Sequence, residues 1–238
     1  MRPNYDEEYV ARLFDRMGPS YDIVNRISSF GFSEIWRAQC VRNLSISKGA
    51  IVADLMAGSG ECWAYLKRRI EPKGKILSVD FSRVMCERQR ARLPRLSDLD
   101  LTISCENALS LNLAEESIDF VISAFGLKTL NDASLNRFAL EIHRVLRKGG
   151  SCSLLEISVP GAALLRVPYL FYLKVVIPLV GRVFLKDIEC YKMLGVYTEA
   201  FGSCRNAAEH FRRNGFQVRI NSHFFGCATS IVACKPAN

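Results

Sequence analysis

The residues with the most to offer chemically lie in one stretch, Asp54-Leu55-Met56-Ala57-Gly58-Ser59-Gly60-Glu61. The apolar run Ala50 to Met56 reads as a buried strand, and a helical pattern resumes at Cys62. A strand that ends in a Gly-x-Gly turn and feeds a helix N-terminus forms a pocket for part of a nucleotide-like ligand. The glycines admit the backbone to the ligand, and the first N–H groups of the helix point at it. A second carboxylate, Asp80, closes the next strand, Lys75 to Asp80, where an acidic group can bind ribose hydroxyls. Alternatively, Gly58 and Gly60 only end a strand, and Asp80 caps the following helix. A dinucleotide is disfavoured, because its fingerprint needs a third glycine where Trp63 stands.

The order Asp-x-x-x-Gly-x-Gly resembles motif I of the Rossmann-like methyltransferases that bind S-adenosylmethionine. The resemblance then narrows. Phe14-Asp15-Arg16-Met17-Gly18-Pro19-Ser20-Tyr21-Asp22-Ile23-Val24-Asn25, with Ser29-Phe30-Gly31 and Trp36-Arg37 after it, is similar to the start of the ubiquinone/menaquinone C-methyltransferases (the UbiE/MenG family). The likeness returns at Phe125-Gly126-Leu127-Lys128-Thr129-Leu130 and at Glu141 to Gly150. It is good from about residue 9 to 158 and looser beyond.

That resemblance implies an α/β fold of the class I methyltransferase type: a mostly parallel seven-stranded sheet with helices on both faces. It implies S-adenosylmethionine as cofactor, held by Asp54, Ala57, Gly58, Gly60, Asp80, Asn107, Ala108 and Ser123, with Tyr21 over the pocket mouth. The family carries Gly-Asp-Ala where this chain has Glu106-Asn107-Ala108, so an amide replaces the carboxylate that reads the adenine amino group. It carries Phe-Gly-Leu-Arg-Asn-Val where this chain has Lys128 and Thr129, and an arginine fork and a lysine point charge orient a phenolate differently. Methyl transfer from a sulfonium needs no metal and no protein nucleophile. A carbon acceptor on a hydroxylated ring needs its phenolic proton removed, and Tyr21, Glu61 and Lys128 are the candidates. His223 is a further one, His143 reads as structural, and Glu156 is either titratable or a structural carboxylate.

These residues need a scaffold. Strands are expected at Leu101–Cys105, Ser117–Phe125 and Ser151–Ser158, a helix from Asn131 to Leu146, and a final antiparallel hairpin from Gly215 onward. Asp6 to Leu44 has helical spacing, broken at Gly18-Pro19 and at Gly31. The expected organisation is one methyltransferase domain over residues 1–238. Residues 1–47 are N-terminal helices, 48–158 the cofactor-binding core, 159–200 a hydrophobic lid, and 201–238 a helix and hairpin. Residues 159 to 185 are strongly apolar but carry Arg166, Lys174 and Arg182, with Pro168 and Pro178. No uncharged stretch there is long enough for a membrane span. The segment suits a lid over a greasy substrate, a peripheral membrane contact, or packing against the domain or a second subunit in a homodimer.

Composition fits this reading. The chain has 238 residues, 49% hydrophobic, with a net charge of +8. The basic clusters Lys67-Arg68-Arg69 and Arg88 to Arg95 read as solvated helix faces, and no aromatic nucleic-acid signature accompanies them. The nine cysteines are scattered, without metal-ligand spacing; most sit in apolar company, as Cys152 and Cys234 do, and read as small core residues of a reducing compartment. No apolar signal core opens the chain, so a cytoplasmic location, peripheral to a membrane at most, is expected. Two functions are open: C-methylation of a lipophilic quinol-like aromatic, and O-, N- or C-methylation of a specialised metabolite. A third class is a non-methylating protein, such as a cyclase, that keeps the pocket.

Overall fold

The computed structural model describes residues 2–18, 21–96, 99–185 and 189–237; the side chains of residues 21–24, 95–96, 183–185 and 189 lie outside the description. Three helices come first: α1 (Glu7–Met17), α2 (Tyr21–Ser28) and α3 (Phe32–Arg42). The core then alternates β1 (Ile51–Leu55), α4 (Trp63–Ile70), β2 (Lys75–Asp80), α5 (Arg83–Arg92), β3 (Asp100–Cys105), β4 (Ile118–Ala124), α6 (Asp132–Val145) and β5 (Leu146–Ile157). After it come α7 (Ala163–Phe171), α8 (Ile177–Leu185), α9 (Glu189–Phe201), α10 (Arg205–Arg213), β6 (Gln217–His223) and β7 (Ala228–Cys234).

The strands form one sheet in the order β3-β2-β1-β4-β5-β7-β6. The first five run parallel, and β7 is antiparallel to both of its neighbours. The seven-stranded sheet thus stands as the resemblance implied, and the closing hairpin as the residue pattern did. Alternate side chains of a strand serve opposite faces. Val52 packs with Trp36, Trp63 and Leu66 of α3 and α4, whereas Ala53 and Leu55 pack with Phe138 of α6 and Phe211 of α10. Registers such as Asp54 opposite Ser78 and Ile122 bring the carboxyl ends of β1, β2 and β4 to one edge. Ligands of open parallel sheets bind beyond such an edge.

The nine cysteines are free thiols; seven are buried, Cys234 is half-buried and Cys105 is exposed.

A third cluster joins Val10, Leu13 and Met17 of α1 to Leu173, Ile177, Tyr191 and Tyr197. Residues 163–185 run as one continuous helix, with a wider π-turn at Tyr172–Val176. Pro178 has no N–H to give the preceding turn, and a widened turn absorbs that gap. By length and composition alone, the Ala163–Arg182 helix is long and apolar enough to cross a membrane. Its inward face is packed: Leu173 and Ile177 are buried against the α1 and α9 cluster.

Candidate active site

Beyond the carboxyl ends of β1, β2 and β4 lies a cavity of about 940 Å³, counting the space open to solvent. Asp54, Ala57, Gly58, Asp80, Asn107 and Ala108 line it, together with Glu61. α1 roofs it with Tyr5-side residues Glu7, Val10 and Phe14. That roof is pinned: Ser82 Oγ donates to Asp15 Oδ1 at 2.5 Å, and Asn107 Nδ2 donates to Glu7 Oε2 at 2.7 Å.

The turns around the cavity are tightly interlocked. Gly58 N–H donates to Asp80 Oδ2 at 2.8 Å, and Ser82 N–H donates to Asp80 Oδ1 at 3.0 Å. Gln89 Nε2 donates to Gly58 O at 2.7 Å. A Cβ on Gly126 would come within 2.6 Å of Met56 Sδ, so the loops after β1 and β4 can meet only through a glycine. Met56 (φ 53°) and Phe125 (φ 73°) both hold the left-handed backbone that side chains disfavour, a type of strain that gathers at ligand sites.

Its charge is lopsided. The lining carries Glu7, Asp54, Glu61, Asp80 and Glu106, and one guanidinium, Arg37. Arg37 is buried and bonds Glu34 at 3.3 Å and Glu61 at 3.2 Å. Its carbon end lies 5.1 Å from the centroid of the Phe125 ring. Asp54 Oδ2 is buried with no hydrogen-bond partner among the described residues. Burial raises the Asp54 pKa well above the carboxylate range, and the Glu61 and Asp80 charges add to that, against Arg37. Burial also pushes Asp80 up to about 7, although the Ser82 and Gly58 amides oppose it. A carboxylate-rich cavity with one buried oxygen of Asp54 left unpartnered among the described residues calls for a cationic ligand that brings its own donors.

Three placements differ from expectation, at Gly60, Ser123 and Asn107. Gly60 does not line the cavity: a Cβ there would meet the Trp63 ring at 2.6 Å, so this glycine makes room for the tryptophan, not for a ligand. Ser123 is buried in β4 outside the lining, with its Oγ unpartnered among the described residues. Asn107 spends its amide on Glu7 and its Oδ1 on Leu109 N–H. The Tyr21 side chain lies outside the described residues.

A second cavity, of about 1340 Å³ with the space open to solvent, adjoins the first. Phe14, Arg37, Phe125 and Thr129 belong to the walls of both. Its lining is mostly aromatic and aliphatic, including Phe32, Trp36, Tyr169, Tyr172 and Phe224. Lys128 is its buried ammonium. Lys128 Nζ donates to Glu156 Oε1 at 3.0 Å and to Phe125 O at 2.5 Å. Glu156, fully buried, also accepts the Lys128 and Ile157 amides. Lys128 is therefore not a solvated loop lysine, and Glu156 is the carboxylate that fixes it. Glu61 faces the first cavity and is held by Arg37 and the Ser59 amide, away from this lining. His223 is tied to Ser230 Oγ at 2.8 Å, and His143 packs edge-on to Phe216; neither lines a cavity described above.

The profile of the ubiE/COQ5 methyltransferase family matches residues 2–235. A demethylmenaquinone methyltransferase of Lactococcus lactis subsp. lactis (strain IL1403) is 31% identical over 231 residues, covering 97% of this chain and 91% of its own. One from Lactiplantibacillus plantarum is 31% identical over 233 residues, with 96% of each chain covered. Among solved structures, a SAM-dependent methyltransferase from Aquifex aeolicus superposes with a TM-score of 0.62 at 15% identity, over 90% of this chain and 97% of its own. The [4+2]-cyclase SpnF superposes with a TM-score of 0.70 at 14% identity, over 100% of this chain and 98% of its own. The last two likenesses speak for the fold alone. S-adenosylmethionine suits the first cavity: it carries a sulfonium and an ammonium, and the unpartnered Asp54 oxygen is the kind of acceptor that such a ligand satisfies.

Proposed function

We propose, from the premise that the chain belongs to the ubiE/COQ5 methyltransferase family, that its acceptor is a lipophilic quinol-like aromatic, methylated on a ring carbon. The chain is an S-adenosylmethionine-dependent methyltransferase. When bound, the cofactor supplies an electrophilic methyl group together with its leaving group. What remains for the protein is to hold two ligands in line, exclude water and make the ring carbon nucleophilic.

The observation that carries this reading is the apolar cavity that opens onto the cofactor cavity and contains the Lys128 ammonium. An ammonium has three donors. Lys128 gives two of them to Phe125 O and Glu156, which leaves one for a ring oxygen. A phenol held there ionises more readily, because a nearby cation favours the charged form. Ionisation releases the phenolic proton to solvent at the open side of the cavity and raises electron density on the adjacent ring carbon, whose own hydrogen returns to the oxygen when the ring rearomatises after methyl transfer. Glu156 holds the lysine in place, and Arg37 and Phe125 wall both chambers, which is where we place the meeting of methyl group and ring carbon. We place the cofactor against Asp54, Ala57, Gly58, Asp80 and Ala108. The relatives' name points to demethylmenaquinone as the acceptor to try first.

The test is methyl transfer from isotope-labelled S-adenosylmethionine to demethylmenaquinol with a short side chain, with NMR locating the label. A label on ring carbon supports the proposal; a label on oxygen, or transfer only to non-quinol acceptors, overturns it. Lys128→Met should lower kcat/KM by about 10²–10³. Lys128→Arg should restore much of it. Calorimetry with the cofactor reports whether each variant is folded.

A further inference from the structure

Apolar side chains that water would rather not meet are concentrated at one place on this molecule. Leu164 (93% exposed), Val167 (69%), Phe171, Val175 and Leu179 protrude from the 163–185 helix. Their spacing of three, four, four and four residues puts them on one stripe. Beside it stand Phe30 (78%) and Phe225 (82%), with Phe224 half-exposed. All three phenylalanines have positive φ, at 49°, 55° and 41° respectively. Left-handed backbone suits glycine and penalises a phenylalanine. The chain thus accepts strain at the points where it presents aromatic rings to solvent, a combination that signals a role for those rings.

The patch is continuous with the entrance of the acceptor cavity. Phe30 stacks on Tyr172 with centroids 5.9 Å apart, and Phe224 meets Phe32 at 4.4 Å; all four rings line that cavity. The surrounding chain is also one-sided in charge. Residues 23–33, 157–186 and 210–238 contain no Asp or Glu, although the chain has 24. Arg26, Arg166 and Arg182 are exposed there.

We propose that this face docks on an anionic lipid bilayer, with the stripe and Phe225 entering the acyl boundary and the arginines meeting the headgroups. A basic amphipathic surface of this kind lies in the interface plane. The helix lies flat on the membrane and does not cross it, because its other side is held by the cluster of α1 and α9. A second copy is a poorer occupant. Two such faces would set arginines against arginines, with no carboxylate from these segments to separate them. The docking stands on this face alone; its benefit, direct entry of a lipid acceptor from the bilayer, rests on the acceptor reading above.

Flotation of the full chain with phosphatidylcholine vesicles, with and without phosphatidylglycerol, tests the proposal. The protein should float with the phosphatidylglycerol vesicles and be released by high salt. Leu164→Ser combined with Phe225→Gly should lower the bound fraction at least tenfold. Because glycine relaxes position 225, this variant should melt no lower than the parent and bind the cofactor equally well. Flotation that is absent, or unchanged in the variant, overturns the proposal. So does a solution dimer that the variant dissociates without any vesicle binding. Turnover separates the two readings. Protein that floats but methylates no quinol leaves the docking standing and removes the acceptor. Protein that methylates a short-chain soluble quinol but never floats does the reverse.

Discussion

Asp54 and Asp80 face a cavity in which burial opposes their ionisation, and the proton is the simplest counter-ion available there. Asp80, at about 7, is largely protonated in the ligand-free protein at pH 6. Its folded pKa is raised above the unfolded one. The associated stability is therefore complete below about pH 4 and is lost as pH rises through about 7, by about 4 kcal/mol at most. A cationic ligand reverses the preference and expels the proton. The affinity for S-adenosylmethionine should therefore tighten between pH 5.5 and 7, by up to about tenfold per unit for each proton released, and then level off. Calorimetry in two buffers of different ionisation enthalpy counts the protons. A flat dissociation constant across that range, with no proton release, would refute this account.

At the scale of elements, the acceptor chamber depends on how α8 and α9 touch. A Cβ on Gly181 would fall 2.3 Å from the ring of Tyr191, which is fully buried. Gly181→Ala would gain about 1 kcal/mol of helix propensity in isolation. Here overpacking against a ring that cannot retreat outweighs it, and a net loss of roughly 1–3 kcal/mol is expected. The melting temperature should drop by a few degrees. Cofactor affinity should barely change, because neither residue lines the cofactor cavity. An unchanged or higher melting temperature would mean that the two helices shift apart freely.

The whole molecule shows which features a sequence displays openly. Strand runs such as Val52–Leu55 and the turn at Gly58 depend on residues next to one another, and periodicity exposes them. The site's polar logic depends on partners far apart in the chain. Arg37 and Glu61 are joined only by the fold, as are Asn107 and Glu7, and Lys128 and Glu156. Nothing local separates Lys128 from a surface lysine, and nothing local marks Arg37 as a wall shared by two chambers. Trp63 stands in the place of the fingerprint's third glycine, and its ring fits because Gly60 has no side chain. Apolar neighbours signal the burial of seven cysteines, Cys152 among them, but not the exposure of Cys105 or the half-exposure of Cys234 at the end of β7. In the native protein, Cys105 should react with a thiol reagent first and Cys234 more slowly, with the seven buried thiols reacting only on unfolding. Rapid native labelling of more than two thiols would contradict that burial.

One feature of α1 extends beyond packing. Phe14 faces both chambers, Leu13 and Met17 face the acceptor's, and Val10 faces the cofactor's. The same helix is clasped from either side, by Ser82 at Asp15 and by Tyr197 at Asn4 just ahead of it. Traffic through the two rooms thus shares one ceiling. A shift of that ceiling that admits a fresh cofactor should therefore change the affinity of the room next door, and such an influence would run equally in both directions.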